Sequence, residues 1–64
     1  MMNDVAQRYC EMYGSAREAI PFFAANLMAG DPGTFKNGYS RENAIIATAE
    51  AFDISRDAVE ELVP

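Results

Sequence analysis

Apolar residues recur at helical spacing through the first twenty positions of the chain. Five of them share one face of a helix, being separated by four, three, four and four positions: Val5, Tyr9, Met12, Ala16 and Ile20. Because this stripe keeps its phase across Gly14, it predicts one continuous or slightly kinked helix from about residue 3 to residue 20. Asn3 or Asp4 can cap its start through a side-chain oxygen.

A break at Gly14 is the second interpretation of the same segment. Glycine readily adopts the left-handed backbone conformation that ends many helices. Ser15, with Glu18 three positions later, has the pattern of a capping box. The chain would then restart as a new helix at Ser15.

Pro21 marks the next predicted boundary. Proline lacks the amide hydrogen that an interior helical residue donates, but it fits the first turn of a helix. We therefore expect a helix over residues 21 to about 29, ended by Gly30. This segment is apolar nearly all round, which predicts a buried central helix or part of an interface. Its large apolar residues are Phe22, Phe23, Leu27 and Met28.

Residues 30–39, GDPGTFKNGY, form a predicted loop, because Asp-Pro-Gly and Asn-Gly sequences favour turns. Aromatic residues and arginine are enriched at the centres of interfaces, so the loop and its exit can present a contact surface. That surface would comprise Phe35, Lys36, Asn37, Tyr39 and Arg41. Alternatively, Phe35 and Tyr39 turn inward and anchor the loop.

Two further helices are predicted after the loop. Ser40 caps a helix from Arg41 to about Phe52, and Ser55 caps the last helix after a turn at Asp53 and Ile54. Aspartate is among the few residues that tolerate positive φ, so Asp53 suits that turn. The residues predicted to point inward are Ile45, Ala49, Phe52, Ala58, Val59, Leu62 and Val63. With no alternating run that predicts a strand, the expected fold is all-α: one domain over residues 1–64, a small bundle of three to four helices with a C-terminal helix-turn-helix-like corner.

Residues 45–63, IIATAEAFDISRDAVEELV, resemble the helix-turn-helix family. A small residue, Ala49, stands where the motif needs one between its two helices. The resemblance implies that residues 45–52 form the supporting helix and residues 55–63 the recognition helix. It places Arg56, Asp57, Glu60 and Glu61 at the outward positions that read bases in DNA-binding members.

The charge on this corner favours a protein partner over DNA. Residues 45–64 carry five acidic residues and one basic residue, a balance of 1 − 5 = −4, within a chain of net charge −5. DNA binding depends on Lys and Arg that neutralise phosphates, whereas an acidic surface suits basic protein partners. The candidate partner-binding residues are Glu50, Asp53, Arg56, Asp57, Glu60 and Glu61, together with Phe35, Lys36 and Tyr39.

Catalysis, metals and cofactors are not expected. The chain has one cysteine, Cys10, and no histidine, so it lacks the ligands of a typical structural zinc site and the usual partner of a catalytic thiol. Cys10 is expected to be a small buried hydrophobic residue. A domain of this size buries only about 60% of its unfolded surface, so we expect a homodimer, a tight complex with another protein, or both. The absence of a signal-peptide pattern or a long apolar run predicts a cytoplasmic protein.

The leading functional hypothesis is a small acidic helical regulator or inhibitor that acts through protein–protein contacts. In general character such a protein resembles the accessory factors of phages and mobile elements that block nucleic-acid-binding machinery, including anti-CRISPR proteins and DNA mimics. The alternative is a dimeric helix-turn-helix DNA-binding transcription regulator. A third hypothesis is a structural subunit, such as an antitoxin-like or assembly component, that is ordered only with its partner.

Overall fold

The computed structural model describes residues 1–29 and 38–64, in which the regular secondary structure is α-helical and no strand occurs. These residues form α1 (Asp4–Tyr13), α2 (Ala16–Ala29), α3 (Arg41–Phe52) and α4 (Arg56–Leu62). The all-α prediction is therefore confirmed. The predicted terminator Gly30 and the predicted contact residues Phe35, Lys36 and Asn37 lie outside the described residues.

The chain breaks at Gly14, so the prediction of one continuous helix was wrong. Gly14 has φ 103° and ψ −29°, and its amide donates to the carbonyl of Cys10 at 2.8 Å. The Ser15 hydroxyl accepts a hydrogen bond from the amide of Glu18 at 3.2 Å and begins α2. Because the two segments turn back on each other and pack side by side, each buries its own face.

This break also changes which residues of α1 are buried. Val5 and Met12, predicted to lie inside, are 52% and 68% exposed, whereas Ala6 is fully buried. Ile20 is buried as predicted, but it belongs to the second helix. A stripe that runs across two helices need not face one core, and here Val5 and Met12 face solvent while Tyr9 packs against the core.

Pro21 lies inside α2 and not in its first turn, which corrects the predicted boundary. The helix begins at Ala16 instead, directly after the cap provided by Ser15. The predicted central position of this apolar segment holds, because α2 contacts α1, α3 and α4. Phe22 is nevertheless 50% exposed, while Phe23 packs edge-on against Phe52 with ring centroids 5.2 Å apart.

The last two helices have the predicted bounds and caps. The hydroxyl of Ser40 accepts from the amide of Asn43 at 3.1 Å, and that of Ser55 accepts from the amide of Ala58 at 3.2 Å. Asp53 adopts the left-handed conformation, with φ 58° and ψ 50°. The predicted inward residues are buried or half-buried except Ala58, which is exposed.

Small side chains let the helices approach closely around a core centred on Phe52 and Val59. The fully buried alanines come from three different helices: Ala6, Ala19, Ala24 and Ala44. The amide of Asn3 donates to the carbonyl of Ala51 at 2.9 Å, which fastens the start of α1 to the end of α3. Cys10 is half-buried, so its predicted burial is only partial.

Candidate functional site

A groove follows one face of α3 for the whole length of that helix. It consists of two adjoining depressions of about 490 and 350 Å³, which share Ile46 and Arg56. The α3 residues that line the groove recur at intervals of four positions, as expected for residues that share one face of a helix. We call it the α3–α4 groove, and define it by an apolar floor and a charged rim. The floor is Ile45, Ile46, Ala49 and Ile54, and the rim is Arg41, Glu42, Glu50, Asp53, Arg56, Asp57 and Glu60.

The floor of the groove offers apolar surface at two positions. Ile45 and Ala49 are buried between the helices, whereas Ile46 is half-buried and Ile54 is 38% exposed. These two isoleucines line the same depression, Ile46 from α3 and Ile54 from the turn between α3 and α4. A ligand can therefore contact apolar side chains without any rearrangement of the core.

The rim is strongly acidic. Five carboxylates face two guanidinium groups, a balance of 2 − 5 = −3. All seven side chains belong to exposed residues. The groove therefore concentrates more than half of the net charge of −5 on one side of the molecule.

Arg41 is engaged within the protein. Its Nη2 donates to the carbonyl of Val63 at 2.9 Å and its Nε to that of Pro64 at 3.2 Å. Its Nη1 lies 3.8 Å from Oε2 of Glu60. Arg41 thus joins the start of α3 to the end of α4, a structural role that the predicted contact surface around Arg41 did not anticipate.

At the other end of the groove, Asp53 forms an ion pair with the amino group of Met1. Both groups are largely exposed, and exposed pairs of this kind contribute little to stability. Among the described residues, Arg56 forms no ion pair within 4 Å. Arg56 is thus the rim cation that no other described residue neutralises through an ion pair.

The structure separates two neighbouring acidic residues that the sequence placed in one site. Glu60 lines the α3–α4 groove, whereas Glu61 lies on the other side of α4, beside Arg17 of α2. The remaining predicted residues on these helices, Glu50, Asp53, Arg56 and Asp57, all line the groove. Tyr39 is exposed outside it, and its amide donates to the carbonyl of Leu27 at 3.1 Å.

A second exposed feature lies where α1 packs against α2. The rings of Tyr13 and Phe22 stack with centroids 4.4 Å apart and an interplanar angle of 4°. Tyr9 lies next to Tyr13, and its hydroxyl is 2.6 Å from Nδ2 of Asn26. We call Tyr9, Tyr13 and Phe22, with the exposed Met12, the aromatic surface. The sequence allowed Phe22 to be part of an interface but placed Met12 inside, and Met12 is 68% exposed.

The described parts of the chain offer neither a cluster of metal ligands nor a membrane-spanning helix. Neither residues 1–29 nor residues 38–64 bring together three His, Cys, Asp or Glu side chains that could hold a metal ion. No helix in these two ranges has the length and apolar character needed to cross a membrane. Both depressions of the α3–α4 groove, about 490 and 350 Å³, are larger than the depression of about 220 Å³ beside Arg17 and Glu61.

Comparison with known proteins assigns this chain to no family. A scan against protein-family models, a search of curated proteins and a search of solved structures each found no match to this chain. The function must therefore be inferred from the chemistry of the exposed surfaces.

Proposed function

We propose that this protein is a small regulator or inhibitor that binds a basic surface of another protein through the α3–α4 groove. The observation that carries the proposal is the rim charge of 2 − 5 = −3 around an apolar floor. Complementary charge accelerates association and selects partners, while apolar contacts at the centre supply affinity. A nucleic-acid-binding face of another protein has the required positive charge. Occupying such a face would block its access to nucleic acid.

Direct DNA binding is the second candidate, and the connection between α3 and α4 favours it. The two helices are joined by residues 53–55, with Asp53 in the left-handed conformation, as in a helix-turn-helix corner. The charges oppose it. DNA affinity depends on Lys and Arg that release phosphate counterions, and α4 carries only Arg56 among its seven residues, against three carboxylates.

Association through the aromatic surface is a further part of the proposal. Phe22 and Met12 are 50% and 68% exposed, and large exposed apolar side chains on so small a protein are typical of an interface. We propose that this surface joins two copies of the chain in a homodimer. Because it lies on α1 and α2, each copy would keep its α3–α4 groove free for the partner.

The proposed partner contact is tested by two double variants that change net charge equally. Glu50→Lys with Asp57→Lys reverses two charges of the rim, and Glu11→Lys with Glu61→Lys reverses two exposed charges outside the groove. A partner protein is captured from the native host with the immobilised wild-type chain, purified, and titrated with each variant by calorimetry. We expect the rim variant to bind at least about tenfold more weakly, because facing like charges replace attraction. The control variant should bind like the wild type.

Two results would contradict this proposal. Equal affinity of the rim variant and the wild type would exclude the groove as the partner contact. Salt-sensitive binding of the wild-type chain to mixed duplex oligonucleotides would instead support the DNA-binding alternative, because phosphate contacts produce a steep dependence on salt. Circular dichroism of each variant verifies that the helices remain intact.

A further inference from the structure

We propose that the α3–α4 groove is a receptor for one basic amphipathic helix of its partner. The contacting face of that helix would carry an apolar side chain with a Lys or Arg one turn before it and another one turn after it. This inference rests on the proposed function, since it takes the partner to be a protein with a basic surface.

The register follows from three residues of α3. Glu42, Ile46 and Glu50 are spaced four positions apart and line the groove together. At about 1.5 Å of rise per residue, each carboxylate position lies about 6 Å along the helix axis from Ile46. Ile46 is half-buried, and the two glutamates are exposed. The face thus alternates acidic, apolar and acidic, one turn apart.

An apolar anchor at the centre is supported by the shape of the groove. The two depressions meet at Ile46, so the half-buried isoleucine borders cavity space in both directions. Ile54 adds apolar surface beside it and is 38% exposed. Interfaces concentrate their binding energy in an apolar centre surrounded by a polar rim, and this groove has that arrangement.

A helix is the occupant that fits this receptor. Residues 1–29 and 38–64 contain no strand, so they offer no sheet edge on which an extended peptide could pair through its backbone. Recognition must then use side chains, and a helix presents them at the required spacing. The twelve residues of α3 extend for about 18 Å, equivalent to about three turns of a partner helix.

The sign of the flanking charges follows from Glu42 and Glu50, because Arg41 is engaged within the protein and Arg56 belongs to α4 and not to this face of α3. The guanidinium of Arg41 bonds to Val63 and Pro64 and lies 3.8 Å from Glu60, so it is held at the end of the rim. The carboxylates of Glu42 and Glu50, on either side of Ile46, form no ion pair within the described residues. Lys or Arg on the partner would complement both.

The probe is a synthetic helical peptide of about fifteen residues with a central Leu and a Lys four positions to either side, in an Ala/Gln background. A lactam bridge on the opposite face holds it helical. Two control peptides accompany it. One replaces Leu by Ser, and the other moves each Lys to two positions from the Leu, which turns the charges to the opposite face at constant composition. Binding is followed by chemical-shift titration of the isotope-labelled full chain, which detects weak complexes.

We expect the probe to shift the resonances of α3 and α4, and the Ser and moved-Lys peptides to bind about tenfold more weakly. The Ser peptide would bind more weakly because it lacks the apolar contact, and the moved-Lys peptide because its charges no longer match the spacing of Glu42 and Glu50. Ile46→Ser should abolish the difference between the Leu and Ser peptides. Glu42→Lys with Glu50→Lys should reject the probe and bind a counterpart whose two Lys are replaced by Glu. Glu11→Lys with Glu61→Lys is the matched control and should bind the probe like the wild type.

Each remaining outcome has a defined meaning. Equal binding of the Leu and Ser peptides overturns the apolar anchor, and equal binding of the moved-Lys peptide overturns the register. If no peptide binds, but the captured partner still discriminates the rim variant, the helix inference fails and the proposed function stands. If neither peptide binding nor partner binding depends on the rim, and the chain binds duplex oligonucleotides, both the helix inference and the proposed function fail.

Discussion

Replacing Gly14 with alanine tests the feature on which the arrangement of α1 and α2 depends. Gly14 has φ 103°, a conformation that costs an L-residue about 1–2 kcal/mol. An added Cβ would lie 3.2 Å from Oε2 of Glu18, the end of a flexible side chain that can move away. The backbone strain therefore dominates the cost of the substitution.

The sign of the effect separates the two interpretations of this segment. With the observed break, Gly14→Ala should lower the free energy of unfolding by about 1–2 kcal/mol. A continuous helix would predict the opposite, because alanine is about 1 kcal/mol more favourable than glycine in a helix interior. For a chain of 64 residues, each kcal/mol corresponds to about 7 °C in Tm.

The assay is urea unfolding followed by helical circular dichroism, with thermal unfolding as a second measurement. Ala25→Gly, at an exposed position inside α2, calibrates the propensity effect and should cost about 0.5–1 kcal/mol. A chemically synthesised chain with D-alanine in place of Gly14 should be at least as stable as the wild type, since a D-residue favours positive φ. An L-alanine variant more stable than the wild type would refute the reasoning, as would equal stability of the D- and L-alanine chains.

Three further substitutions have defined expected effects on the free energy of unfolding, each measured by urea unfolding. Thr48 is fully buried and its hydroxyl finds no hydrogen-bond partner among the described residues. Thr48→Val should therefore raise stability by about 1 kcal/mol; a loss of stability would indicate that the hydroxyl does form a hydrogen bond. Pro21→Ala restores an amide donor inside α2 and should raise stability by up to about 3 kcal/mol; no gain would mean that the helix already accommodates the proline ring without strain. Asp53→Val places a β-branched residue at φ 58° and should cost more than about 1 kcal/mol, whereas Asp53→Gly should not; equal effects would exclude backbone strain as the cause.

Short-range signals were sufficient to predict the second half of the chain. Ser40 and Ser55 cap their helices through amides three positions later, and Asp53 ends α3 by its own backbone conformation. Each of these effects acts within about one helical turn, so a local pattern determines it. The acidic residues of the groove could be identified for the same reason, because helical periodicity places Glu50 and Asp57 on outward faces.

The first half contained two local patterns that disagreed. The stripe through Val5 and Met12 fitted a single long helix, whereas Gly14 and the capping pattern at Ser15 indicated the break that is observed. Pro21 was likewise interpreted as a helix start, although the cap at Ser15 begins α2 earlier. Local propensities differ by about 1 kcal/mol, so burial against neighbouring helices decides between such alternatives.

The sequence by itself determined the all-helical class, the bounds of α3 and α4, and the excess of acidic residues on the C-terminal corner. Only the tertiary structure decided that Glu60 and Glu61 lie on different sides of α4, and that Arg41 reaches from α3 to the carbonyl of Val63. Caps and helical periodicity act between residues close in the chain. The side of a helix that becomes a groove, in contrast, depends on which other helix packs beside it.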